Sequence, residues 1–210
     1  MTLKKAAMFI GSIISAAAII SIAVIITVNS RWLYYMDIDK LNIPQTSGIS
    51  ETEIIENYNY LIDYNTKFRV GEFSLPTLPS SNEGKIHFEE VRNIFLAVHF
   101  IAAAGIVLII YSIYEAFKRK RYKMLGDTLI MTVIIPAVTG IMMAVSFEKT
   151  FVLFHKIMFR NDYWIFDPSK DPIINMLPET FFLHAAALII ILTAVIWMIL
   201  LKLYLKSKEI

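Results

Sequence analysis

Four stretches of the chain are almost wholly apolar, and the polar residues gather between them. The stretches run approximately from Ala7 to Val28, Ile94 to Tyr114, Leu125 to Phe147 and Phe181 to Leu201. Each approaches or exceeds the roughly 20 residues that a helix needs to cross about 30 Å of hydrocarbon. Lys4 and Lys5 give the first stretch the look of a signal peptide. Its apolar run is longer than a usual signal core, however, and no small-x-small cleavage site follows, so it is expected to stay as a permanent helix. The pattern predicts an all-α membrane protein: a four-transmembrane-helix bundle forming one integral membrane domain over 1–210, with a small extracellular cap made by the 29–93 and 148–180 loops.

The first of these loops has order of its own. Ser50 and Glu53 in SETE form a capping box, and Ile54, Ile55, Tyr58, Leu61 and Ile62 recur at helical spacing. A helix is therefore predicted from about Glu51 to Asn65. Between Val70 and Gly84, the residues Gly71, Pro76, Pro79 and Gly84 predict an extended or turning connection, with a short strand around Glu72 to Leu75. Helix resumes near His87 and continues into the second span. In the third span Pro136 and Gly140 fit either a kinked, loosely packed helix that leaves lateral room or ordinary membrane-helix composition.

Charge orients the bundle. Lys4 and Lys5, the run Lys118, Arg119, Lys120, Arg121 and Lys123, and the tail residues Lys202, Lys206 and Lys208 all fall on one side, which the positive-inside bias makes cytoplasmic, with both termini. The outer loops carry more acids than bases. The formal net charge of +2 thus sums two opposed faces and points to no nucleic-acid partner; the basic side also favours anionic membrane lipid. Trp32, Tyr34, Tyr35, Phe181 and Phe182 fall at the outer boundary, where they read as interfacial anchors. Cysteine is absent, which removes thiol nucleophiles, disulfides and thiolate metal sites.

The richest chemistry lies in FHKIMFRNDYWIFDPSKDPIINMLPETFF, from Phe154 to Phe182, where His, Arg, Asn, Asp, Trp and Glu sit between two spans. All four histidines, His87, His99, His155 and His184, fall outside or in the outer part of the bilayer. Histidine exchanges protons near neutral pH, and ionisable groups at membrane depth are costly and tend to be functional. For His99, amid small residues, and for His184 a hydrogen-bonded structural role is the simpler reading. Asp167 and Asp171, each before a proline, read as Asx-type turn formers, and Glu179 as a first-turn residue of the fourth span.

That run resembles, nearly throughout, the second outer loop of the bacterial lipoprotein intramolecular transacylase family. NYNYLIDY (Asn57 to Tyr64) and HFEEV (His87 to Val91) are weaker matching blocks in the same order, the second with Glu90 where the family pattern has Asp. The resemblance implies transfer of the sn-2 acyl chain of a diacylglyceryl-modified bacterial lipoprotein to its free N-terminal amine, at the outer face of the plasma membrane. It also implies His87 as the base, with His155 as the second essential group stabilising the oxyanion or returning the proton, two assignments open to exchange. Glu90 and Asp162 would orient, Arg160 and Asn161 would donate to the ester carbonyl, and Trp164 would anchor at the interface and line an acyl groove. No cofactor or metal is needed, because donor and acceptor share one molecule. A metal-dependent membrane hydrolase lacks HExxH-like spacing, and a transporter lacks an inverted repeat. A non-enzymatic lipoprotein-binding protein would depend on the aromatic loops and not on His87.

Overall fold

The computed structural model describes residues 3–68 and 71–209, and among these the secondary structure is entirely helical. The elements are α1 (Leu3–Asn29), α2 (Arg31–Lys40), α3 (Ile43–Ser47), α4 (Glu51–Thr66), α5 (Asn82–Arg119), α6 (Lys123–Val145), α7 (Phe147–Met158), a 3-10 turn (Pro172–Met176) and α8 (Glu179–Glu209). Helices α1, α5, α6 and α8 are long and apolar enough to cross a membrane, so the protein is multi-pass. The 38 residues of α5 extend about 57 Å, nearly twice the hydrocarbon thickness. Its apolar run begins only at Ile94, so the turns before it, with His87 and Glu90, stand outside the spanning part.

The chain forms two compact units, one of Met1–Ile25, Ala97–Val145 and Ala187–Ile210, the other of Ile26–Leu96 and Ser146–Ala186. In the first, Ala18, Ile19, Ile109, Leu129 and Leu200 form a buried cluster. Helices α1 and α5 approach so closely that a Cβ on Gly105 would overlap that of Ala18 and lie 2.9 Å from the Ile14 carbonyl oxygen. Small residues permit such contact where lipid gives apolar surfaces no reason to separate from it. Polar side chains here use backbone carbonyls: Ser12 Oγ donates to Met124 O at 3.1 Å and Trp197 Nε1 to Leu129 O at 2.9 Å.

The second unit has its own core, built on Tyr34, Ile38, Ile43, Ile54, Tyr58, Ile173, Met176 and Phe181. Helix α4 starts at the expected capping box, with Ser50 accepting from Glu53 N and Glu53 reaching back to Ser50 N. Tyr34 and Phe181 are not interfacial anchors. Tyr34 is fully buried, stacks on Tyr58 with centroids 3.8 Å apart and donates its hydroxyl to Met176 O at 2.6 Å, while Phe181 packs edge-on against both tyrosines. Trp32 and Tyr35 remain exposed.

The strand expected around Glu72 to Leu75 does not form. No neighbouring strand is present among the described residues. Side chains of α4 instead hold the segment: Tyr60 Oη accepts from Ser74 N at 2.8 Å and Asn57 Oδ1 from Thr77 N at 3.3 Å, while Phe73 and Leu75 are buried. The 148–180 segment also departs from a plain loop. Ser146 turns extended, ending the third span at Val145 instead of Phe147, and its Oγ accepts from Lys149 N to open α7.

Candidate active site

The start of α5 is held by a long-range tether. Asp171 is 4% exposed; its carboxylate accepts from Ser81 N at 2.8 Å and Ser81 Oγ at 2.6 Å, and Ser81 Oγ accepts in turn from Gly84 N. An acid beside a helix N-terminus also meets the positive end of its dipole. Asp171 is therefore no turn former for its own loop. It fixes the helix that presents His87. Asp167 does form the Asx turn, accepting from Ser169 N at 3.0 Å.

His87, 5% exposed, lies among Phe88, Phe159 and Phe166, with ring centroids 5.6, 4.7 and 5.3 Å away. The ring of His155, from α7, lies 6.2 Å from it at an interplanar angle of 29°. Burial and the neighbouring His155 push the His87 pKa down to about 4. Burial lowers that of His155 too, opposed by its bond to Phe151. Both rings are therefore neutral at pH 7.

Their hydrogen bonds distinguish them. His155 Nδ1 lies 2.8 Å from the Phe151 carbonyl, which can only accept, so Nδ1 carries the proton and Nε2 is left with its lone pair. His87 Nδ1 is buried and has no hydrogen-bond partner among the described residues.

Two more buried polar atoms nearby, Glu90 Oε2 and Trp164 Nε1, have no partner among the described residues. The other oxygen of Glu90 accepts from Asn161 Nδ2 at 2.8 Å, while Asn161 Oδ1 accepts from Tyr163 N, so Asn161 ties its loop to α5. The Trp164 ring sits 4.8 Å from that of His155. Buried polar groups are nearly always paired, and a cluster of orphans beside two histidines marks where a polar ligand belongs. The structure thus brings together His87, His155, Glu90, Asn161 and Trp164. Arg160 and Asp162 are exposed, and the carboxylate of Asp162 hydrogen-bonds neither histidine. Among the described residues no three His, Asp or Glu side chains are grouped to hold a metal ion.

Sequence reasoning missed the aromatic enclosure of Phe151, Phe159 and Phe166. It also left out a second polar pair, His184 Nδ1 with the Asp37 carboxylate at 2.8 and 2.9 Å, Asp37 being 2% exposed. Asp37 gave no signal beyond its place between apolar neighbours.

Four apolar spans, together with a buried His87 and a half-buried His155 that are both neutral and lie beside unpaired donors and acceptors, define a multi-pass membrane protein with groups able to transfer protons. The family model of lipoprotein intramolecular transacylase Lit matches residues 9–182. The chain is similar to the solved membrane-integral lipoprotein intramolecular transacylase Lit from Bacillus cereus, at 41% identity over 96% of this chain and 94% of that one, with a TM-score of 0.90. Two structures of that Bacillus cereus protein with a histidine replaced, by arginine in one and alanine in the other, each match with a TM-score of 0.83, again at 41% identity over 96% of this chain and over 90% and 92% of theirs. No curated protein matches in sequence. The chain belongs to the lipoprotein intramolecular transacylase family, and it is an acyltransferase of that kind.

Proposed function

We propose that the protein moves the sn-2 acyl chain of a lipoprotein's diacylglyceryl-cysteine to the free α-amine of the same cysteine, with His155 as base and His87 as oxyanion donor. The observation that carries this reading is the tautomer of His155. Its only N–H is committed to Phe151, so a neutral His155 accepts and does not donate, which favours exchanging the two roles that the family resemblance suggested.

In the proposed step the amine nitrogen attacks the ester carbonyl carbon, and Nε2 of His155 takes the proton that the nitrogen sheds. An α-amine has a pKa of about 8, so part of it is neutral at pH 7. The tetrahedral oxyanion meets the N–H of neutral His87 and the unpaired indole N–H of Trp164. Collapse breaks the bond to the glyceryl oxygen, which receives the proton from His155. Atoms and charge balance without a cofactor. Holding both ends of one molecule together contributes roughly 7–11 kcal/mol through effective molarity.

Glu90 Oε2 would receive the substrate ammonium before it deprotonates, and Asn161 fixes Glu90 for that task. Arg160, exposed at the same loop, meets a lipid phosphate. Asp162 has no partner in this scheme. The Lys and Arg bias supports cytoplasmic termini and a site on the extracytoplasmic side, where diacylglyceryl-modified lipoproteins are the substrates.

The test is mass spectrometry of a diacylated lipopeptide incubated with wild-type protein, His87→Ala and His155→Ala. The intact mass does not change, so fragmentation must locate the acyl group. Migration from glycerol to nitrogen with wild type, slowed about 10²–10⁴-fold in either variant, is the expected result. Released fatty acid would mean a hydrolase, and unchanged rates in both variants would remove the histidines from the mechanism.

A further inference from the structure

Helix α7 follows the third span after the single residue Ser146, so its start lies at a membrane boundary, yet its 12 residues reach only about 18 Å and cannot cross. None of them is buried. One face, with Phe151 and His155, turns toward the histidine site. Another exposes Leu153 (43%), Phe154 (51%), Ile157 (71%) and Met158 (40%). Along its border run Lys149 and Lys156, seven residues and so two turns apart, with Arg160 just past the helix end. Among the described residues none of these three cations joins an ion pair, and all three are exposed. They lie in outer loops otherwise rich in acids, so they are not topology signals.

We propose that α7 docks in the outer membrane surface and binds anionic glycerophospholipid, with Leu153, Phe154, Ile157 and Met158 among the acyl chains and Lys149, Lys156 and Arg160 on the phosphates. An amphipathic helix with an apolar face bordered by unpaired bases fits the boundary between headgroups and chains, and each base near an anionic surface adds attraction. A protein partner could also cover an apolar face, but it would not explain why exposed bases border that face directly after the end of a membrane span. Docking would set the depth of the His155 ring, which the same helix carries and which the Phe154 ring meets edge-on with centroids 5.4 Å apart. The inference does not depend on which histidine is the base, or on the reaction itself.

The absence of cysteine makes single-site labelling clean. Ile157→Cys in the full chain, carrying a nitroxide, is reconstituted in vesicles of phosphatidylcholine with or without phosphatidylglycerol, with Ile134→Cys in the third span as a lipid reference and Asn82→Cys as an aqueous one. The label at 157 should be accessible to oxygen and shielded from a water-soluble nickel chelate, as at 134. Native mass spectrometry from mixed micelles should show retained phosphatidylglycerol in preference to phosphatidylcholine, falling about fivefold per lysine removed in Lys149→Gln with Lys156→Gln. Millimolar inorganic phosphate should not displace it. Oxygen-poor, chelate-accessible labels at 157 would overturn docking. Lipid exposure with no loss of phosphatidylglycerol in the double variant would overturn the anionic site. A label shielded only after lipopeptide is added would make the face a substrate-binding surface instead.

Discussion

The tether between Asp171 and the start of α5 leads to a reversal of sign. Gly84 is helical, and alanine there would ordinarily stabilise by up to about 1 kcal/mol. In this structure a Cβ on Gly84 would overlap an oxygen of the Asp171 carboxylate and come 3.0 Å from its Cγ. That carboxylate cannot swing away freely, because it accepts from both Ser81 N and Ser81 Oγ. Bonds to a charged group contribute about 1.5–3 kcal/mol each. Losing or straining the pair should cost roughly 3 kcal/mol, so Gly84→Ala should destabilise by a net of about 2 kcal/mol. Asp171→Ala removes the obstacle along with the bonds, and in that background Gly84→Ala should become neutral or stabilising. The expected coupling, about 2–3 kcal/mol, is at the upper end of what contacting residues show. Reversible unfolding of the four proteins in one detergent, followed by tryptophan fluorescence, measures it. If Gly84→Ala has the same effect with and without Asp171, the tether does not bear on α5 as described.

Stability should depend on pH through His87, whose folded pKa is lowered to about 4 from 6.5. The unfolded chain binds the proton first, so the contribution is complete above pH 6.5 and is lost as pH falls from there toward 4, at up to about 1.4 kcal/mol per pH unit. His87→Phe should flatten that slope in urea titrations run across the window, and an unchanged slope would place the ring in water. His184→Ala should cost about 1–3 kcal/mol, since it leaves the buried Asp37 carboxylate without its partner; His184→Gln, which keeps a donor, should cost less in the same melting experiment. Gly105→Val should destabilise by about 1–3 kcal/mol through overpacking of α1 against α5, while Gly71→Ala, with open space around it, should melt near wild type.

Hydropathy made the four spans legible because each crossing must be apolar over its whole length, and Ser50 with Glu53 made the start of α4 legible because a capping box is local. Local signals were also what misled. Tyr34 beside Trp32 reads as an interfacial aromatic, yet it is buried by Tyr58 and Phe181, neither of which is near it in sequence. Asp171 before Pro172 has the local form of a turn residue, but its partner is Ser81, ninety positions away. The strand around Glu72 failed because an extended stretch bounded by glycine and proline does not supply a pairing partner. Helix α7 escaped notice because its apolar residues merge with the end of the third span until Ser146 breaks the helix. The histidines were visible by residue type and place; that their rings nearly stack, and that one tautomer is fixed by Phe151, are facts of packing.

The most direct test of the histidine pair is the transfer rate of His87→Ala, His155→Ala and the double variant, each measured on a diacylated lipopeptide by fragment-resolved mass spectrometry. Residues that act as one unit lose most of their effect together. The double variant should therefore be about as slow as the slower single one, both singles lying about 10²–10⁴-fold below wild type. Losses that multiply in the double variant, or a single variant with near wild-type rate, would contradict a mechanism in which the two rings handle one proton and one oxyanion together.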